Sequence, residues 1–209
     1  MYKLVRNFSI ASAVAIVVAT TVLGFVLHQN LKNELVITTE QQNTTLARSY
    51  ANTLGARLPQ FLDDVAGMDT ATLVASAEFR DLDGYFRRVA AGVNVLKIKA
   101  YRLDGRTVYA SDVSQVGQDK SSNVGFVAAR SGVTASDLVF RQSFNAFEGA
   151  LEDLDLVASY VPITQDGKVV GVFELYSDVT HTLTQLRDLP GKLGDVSGDA
   201  VGARVLWLG

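Results

Sequence analysis

Residues Phe8–Leu27, FSIASAVAIVVATTVLGFVL, form twenty consecutive positions without a charge. A helix of that length rises about 30 Å, the thickness of a bilayer's hydrocarbon core. Lys3 and Arg6 are the only charges before position 28. They favour a cytoplasmic N-terminus and an exported remainder. A cleaved signal peptide would carry a shorter apolar region with a small-x-small site just behind it. Here HQNLKNEL follows, and the Ala-x-Ala-like patterns around Ala11 to Ala15 come too early. The segment therefore reads as an uncleaved signal anchor over 8–27, behind a cytoplasmic stretch of residues 1–7.

The remainder is a folding composition, since 48% of the chain is hydrophobic and 20% is charged. With no cysteine, disulfides, thiolate metal sites and a cysteine nucleophile are excluded together. His28 and His181 are the only histidines, too few for a histidine-rich metal centre. Beyond the anchor stand 17 basic and 22 acidic residues, a net of −5, which offers no basic surface to nucleic acid. No G-x-x-x-x-G-K-[ST] loop occurs, and nothing in the sequence calls for a cofactor.

From Asn30 to about Val65 the apolar spacing is helical. Leu46, Tyr50, Leu54 and Leu58 recur every four residues, with Leu31 and Leu35 before them and Phe61 and Val65 after. Thr39 and Gln42 interrupt the stripe. Residues 28–66 are expected to be a stem that packs on its own domain and pairs near the membrane with a second copy. Pro59 is a candidate kink or end. DTATLVASAEFRDLDGYFRRVA, from Asp69, is a second helical stretch, with Asp69 as its cap and Asp83-Gly84 as a break. After Gly92 the period becomes two. VNVLKIKAYRL sets Leu96, Ile98 and Ala100 against Lys97, Lys99 and Tyr101, and Asp104-Gly105 turns it into RTVYASD. Sixty residues on, LDLVASYVPITQ turns through Asp166-Gly167 into KVVGVFELY. A short helix near GFVAARSG and a strand around SDLVFRQ lie between the hairpins. Five antiparallel strands with helices in front make the expected class α+β.

The succession LDGRTVYAS, VGQDKSSNVGF, LVASYVPI and GVFELYSDVT resembles the single-domain Cache family, the PDC or PAS-like extracytoplasmic sensors of bacterial histidine kinases, diguanylate cyclases and chemoreceptors. The likeness covers roughly Asn30 to Leu186. It implies a sensor domain over 67–189, held periplasmic at the inner membrane by a single pass. It also implies a homodimer through the leading helix and a pocket for a small metabolite such as an organic acid, with no catalysis. The amino-acid-binding pattern of two-module Cache domains, Y-x-x-x-x-R-x-W-Y, is missing, since the one tryptophan is Trp207.

An apolar cleft with a few convergent polar groups is what a small ligand needs. The candidates are Tyr109 and Ser111 on the second strand, Phe126 on the short helix, Arg141 on the third strand, Ser159 and Tyr160 on the fourth, and Tyr176 and Asp178 on the fifth. Arg141 offers a bidentate fork to a carboxylate, and Asp178 an acceptor for an ammonium. Each has a plainer role: Arg141 as an edge charge, Asp178 as a helix cap, the tyrosines as packing, and Glu174 as a solvated edge or buried partner of an arginine. Asp178 and His181 read as a capping contact rather than an acid–base pair. A pilin-like subunit is the rival, but the chain lacks that class's leader junction and early glutamate. The glycine-rich close over 190–209 leads to the expectation of a truncated or frame-shifted receptor.

Overall fold

A computed structural model describes residues 2–187, with side chains from residue 5. The chain divides into two units, one holding the first 35 residues and the other, Val36–Leu183, holding the sheet and the shorter helices. The expected tail at 190–209 lies outside the described residues.

The first helix, α1 (Tyr2–Leu54), is continuous over 53 residues. Its N-terminal part is long and apolar enough to cross a membrane, and its large apolar side chains there are exposed. It ends at Gly55, whose φ of 53° is the left-handed close that glycine accepts without strain. Pro59 neither ends nor kinks α1. It falls in the first turn of α2 (Arg57–Asp64), where its missing N–H is no loss. Asp69 caps α3 (Thr70–Ala75), accepting from the amides of Ala71 and Thr72 at 3.0 Å. The break expected at Asp83-Gly84 lies instead at Ser76, whose hydroxyl accepts from Phe79 N and starts α4 (Ala77–Ala90). Asp83 serves inside that helix, accepting from Arg87 one turn on at 2.7 Å.

The sheet holds β1 (Val95–Tyr101), β2 (Thr107–Ala110), β3 (Ala135–Ala146), β4 (Gly149–Gln165) and β5 (Lys168–Asp178), in the order β2-β1-β5-β4-β3. Every neighbouring pair is antiparallel. The class is therefore the α+β arrangement expected. Asp166 and Gly167, at φ 49° and 74°, make the tight turn that the sequence announces. A short helix, α5 (Val124–Arg130), capped by Asn123, separates the two halves, and a helical stretch from 180 follows β5.

The third hairpin was not legible. β3 and β4 extend well past SDLVFRQ to a turn at residues 147–148. Asp153, at φ 52°, breaks the alternation of faces. Val139 and Phe144, which strict alternation would place on opposite sides, share one apolar cluster with Leu156, Ala158 and Tyr176.

One sheet face packs on helices. Ala47, Tyr50 and Leu54 of α1, Leu58, Phe61 and Leu62 of α2, and Phe79, Leu82 and Phe86 of α4 meet Ile98, Ala100, Val161, Phe173 and Leu175. Gly171 lets this happen: a Cβ there would stand 2.7 Å from a methyl of Leu62 and 2.8 Å from the carbonyl of Tyr101. Within this apolar layer Asn43 is buried, donating to Ser159 Oγ at 2.9 Å and accepting from Ser177 Oγ at 2.6 Å. Its amide clips α1 to β4 and β5 together. Replacing Asn43 by leucine leaves two buried hydroxyls without this partner and is expected to cost about 1–3 kcal/mol. Denaturant titration of the detergent-solubilised chain, with Asn43→Asp as the polar control, measures it.

Candidate functional site

Period two puts Lys97, Lys99 and Tyr101 of β1 on the face opposite the helices. Register then completes the set. Lys99 lies opposite Glu174 of β5, which lies opposite Tyr160 of β4, while Lys97 lies opposite Tyr176, which lies opposite Ala158. The face is therefore polar where an ordinary sheet would bury aliphatics.

Glu174, 1% exposed, is its centre. Tyr101 Oη donates to Oε2 and Tyr176 Oη to Oε1, the latter at 2.7 Å. Lys99 Nζ stands 3.3 Å from Oε2, and Tyr160 lies across from Glu174 on the neighbouring strand. Burial alone would push Glu174 upward, but Lys99 and the three phenols outweigh it and hold the carboxyl below its usual range. Burial, then the adjacent carboxylate, raises all three tyrosines, which stay protonated as donors. Beside this centre Lys97 lies 3.7 Å from Asp112 and 4.1 Å from the Phe144 ring centroid. Burial, and then repulsion from Lys99, brings its ammonium down to about 8.

Two elements cover the cluster. From α5, Phe126 packs edge-on against Tyr101, and Gly125 lies so close to the Tyr160 ring that a Cβ there would overlap it. From the β3–β4 tip, Phe144 packs on Tyr176, and Asn145 donates to Asp112 Oδ2 at 3.1 Å. The tip is itself tied down, because Phe147 N donates to the Leu96 carbonyl and Arg87 of α4 donates to the Phe147 carbonyl at 2.8 Å.

Of the eight residues expected at the site, the structure brings Phe126, Tyr160 and Tyr176 together. Arg141 lies on the same face but is exposed at the outer strand, donating to the carbonyl of Phe140. Three belong elsewhere. Tyr109 pairs with Ala100 and therefore faces the helices, where it stacks on Phe86 and donates to Asp83 at 3.0 Å. Ser159 faces α1 and Asn43. Ser111 closes the β1–β2 pairing, its amide donating to the Ile98 carbonyl. Asp178 accepts from Thr180 N at 2.9 Å at the start of the closing helix, which is the capping role. Lys97, Lys99, Tyr101, Asp112 and Glu174 were missed as site residues. The alternation that separated Lys97, Lys99 and Tyr101 from Leu96, Ile98 and Ala100 was the available signal. What it lacked was a reason to bury that side.

A groove of about 570 Å³ lies elsewhere, between the end of α1, α2 and α4. Arg57, Arg80 and Arg88 alternate there with Asp64, Glu78 and Asp81, so it carries no net preference for either sign.

No family model and no curated protein matches the sequence. Among solved structures the chain is similar to the sensor domain of the histidine kinase DctB from V. cholerae, at 16% identity and a TM-score of 0.37 over 74% of this chain and 59% of that one. It is similar also to the sensor domain of E. coli DcuS, at 17% identity and a TM-score of 0.38 over 62% of this chain and 98% of that one. A third is the periplasmic domain of RsbU from Chlamydia trachomatis, at 16% identity and 0.38 over 76% and 58%. The chain thus spans under two thirds of the first and third of these structures.

The geometry sets two expectations. Glu174→Gln strands the buried Lys99 ammonium and should cost about 3–5 kcal/mol in denaturant titration, part of which returns when Lys99→Met is added. Lys97 loses its proton in the folded state near pH 8, and in the unfolded chain near its usual 10.5. Between about pH 8 and 10 the unfolded chain therefore holds more protons, so stability should rise with pH relative to Lys97→Gln. Melting temperatures of both proteins across that window test the sign, and a flat difference would refute it.

Proposed function

We propose that this chain is the input part of a membrane-anchored receptor. In this reading the sheet domain, from residue 67 onward, lies outside the cytoplasmic membrane and binds a small organic acid without catalysing a reaction. Helix α1 crosses the membrane once with its N-terminus inside, and beyond the membrane it pairs with a second copy.

One observation carries the ligand class. Lys97 and Lys99 are buried side by side on one face and repel each other. Lys97 stands 3.7 Å from Asp112 and over the face of Phe144, neither of which uses all three of its donors. An ammonium has three N–H donors, so both groups retain capacity that a ligand carboxylate would take up. Tyr160, Tyr176 and Phe126 would wall that ligand, and Arg141 stands at the outer rim of the same face. Because the lysines are buried, entry requires α5 or the β3–β4 tip to lift. Binding is thereby linked to a change of shape, and signalling follows if the acid prefers one arrangement over the other.

Thermal melting of the solubilised full chain against mono- and dicarboxylates and amino acids tests the reading. A ligand at a hundred times its Kd contributes about 2.7 kcal/mol, a rise of several degrees. Lys97→Gln should abolish the rise and Tyr109→Phe, on the opposite face, should keep it. A panel in which no acid shifts the parent, or an acid that shifts Lys97→Gln as much as the parent, would sink the proposal.

A further inference from the structure

We infer that β3 is a second self-association surface, along which two copies of this chain pair strand to strand. Among the described residues β3 pairs only with β4 and ends the sheet. Along Ala135–Arg141 its outer side carries backbone donors and acceptors that no other strand takes up, a template for another strand. The Phe140 carbonyl is held by its own neighbour Arg141, which an incoming strand would displace. Native edges are commonly blunted by proline, a bulge or charges. This stretch, ASDLVFR, has neither proline nor bulge, and its two charges, Asp137 and Arg141, are of opposite sign and so suit a self-complementary pair.

The occupant follows from the side chains. In an antiparallel pair of identical strands centred on Val139, Asp137 of each copy lies opposite Arg141 of the other. Both charges are exposed, and they project from the same face as Val139. Leu138 of each copy lies opposite Phe140 of the other on the second face, and Phe140 is 56% exposed. Moving the centre by one residue in either direction sets Asp137 opposite Ser143 or Val139, and both ion pairs are lost. Charge and apolar complementarity therefore select one register and one partner, a second copy. This contact is separate from any pairing of α1 and does not rest on the ligand reading.

The chain has no cysteine, so a single introduced thiol reports on the contact without background. Directly opposite residues of an antiparallel pair have Cα atoms about 4.5–5.5 Å apart, within disulfide range. The full chain carrying Val139→Cys, in nanodiscs under mild oxidation, should give a disulfide-linked homodimer. Adding Arg141→Asp, or Asp137→Arg, sets like charges opposite each other twice and should reduce that product roughly tenfold. Adding both exchanges the charges and should restore it. The absence of a cross-link, one indifferent to charge reversal, or one formed mainly with a different polypeptide would each overturn the inference. Sedimentation of the cysteine-free chain and its charge variants should follow the same order.

Discussion

A single ionised carboxylate fixes how this sheet is assembled. Glu174 accepts from hydroxyls on β1 and β5, faces the ammonium of Lys99 and lies opposite Tyr160 of β4, so three central strands meet at one side chain. A slip of one residue on β5 would turn Glu174 into the apolar layer beneath α4 and bring Phe173 into its place. Burying the charge is costly, and these donors offset that cost rather than add a surplus. What the arrangement contributes is a further specification of register, added to the parity that the buried helix-facing side already imposes.

That polar centre also explains the two covers. A buried ion pair needs water kept away, and neither sheet face nor strand length provides this. The tip of the β3–β4 hairpin does so on one side, held by Asn145 to Asp112 and by Arg87 to the Phe147 carbonyl. Helix α5 does so on the other, where Gly125 admits the full width of the Tyr160 ring. Apolar packing backs both covers: Phe144 of the tip sits in a cluster with Leu154, Leu156, Ala158 and Tyr176, and Phe126 and Ala129 of α5 pack on Tyr101, Tyr160 and Val172.

Much of the architecture was written in local pattern. Asp-Gly turns marked two hairpins, Asp69 announced its cap, and alternation in β1 sorted Ile98 from Lys97 correctly. Longer-range facts were not so written. The β3–β4 tip reads as polar loop because Glu148, Gly149, Glu152 and Asp153 lack strand propensity, and its pairing is decided by the partner strand rather than by itself. The site was half legible for a related reason. Tyr160 and Tyr176 stood out as aromatic strand residues. Lys97 and Lys99 sort to one face and Glu174 reads either as a solvated edge or as the buried partner of an arginine, because nothing in their own neighbourhoods says that Phe126 and Phe144 will close over them. Tyr109 and Ser159 were misplaced because a strand's parity gives two faces but not which one meets the helices.

The carboxamide of Asn43 sits across the seam between β4 and β5, holding one serine from each. Relative sliding of those strands would stretch one of its bonds while compressing the other. A displacement of the whole sheet against α1 would strain both bonds together. A shear within the sheet twists the amide.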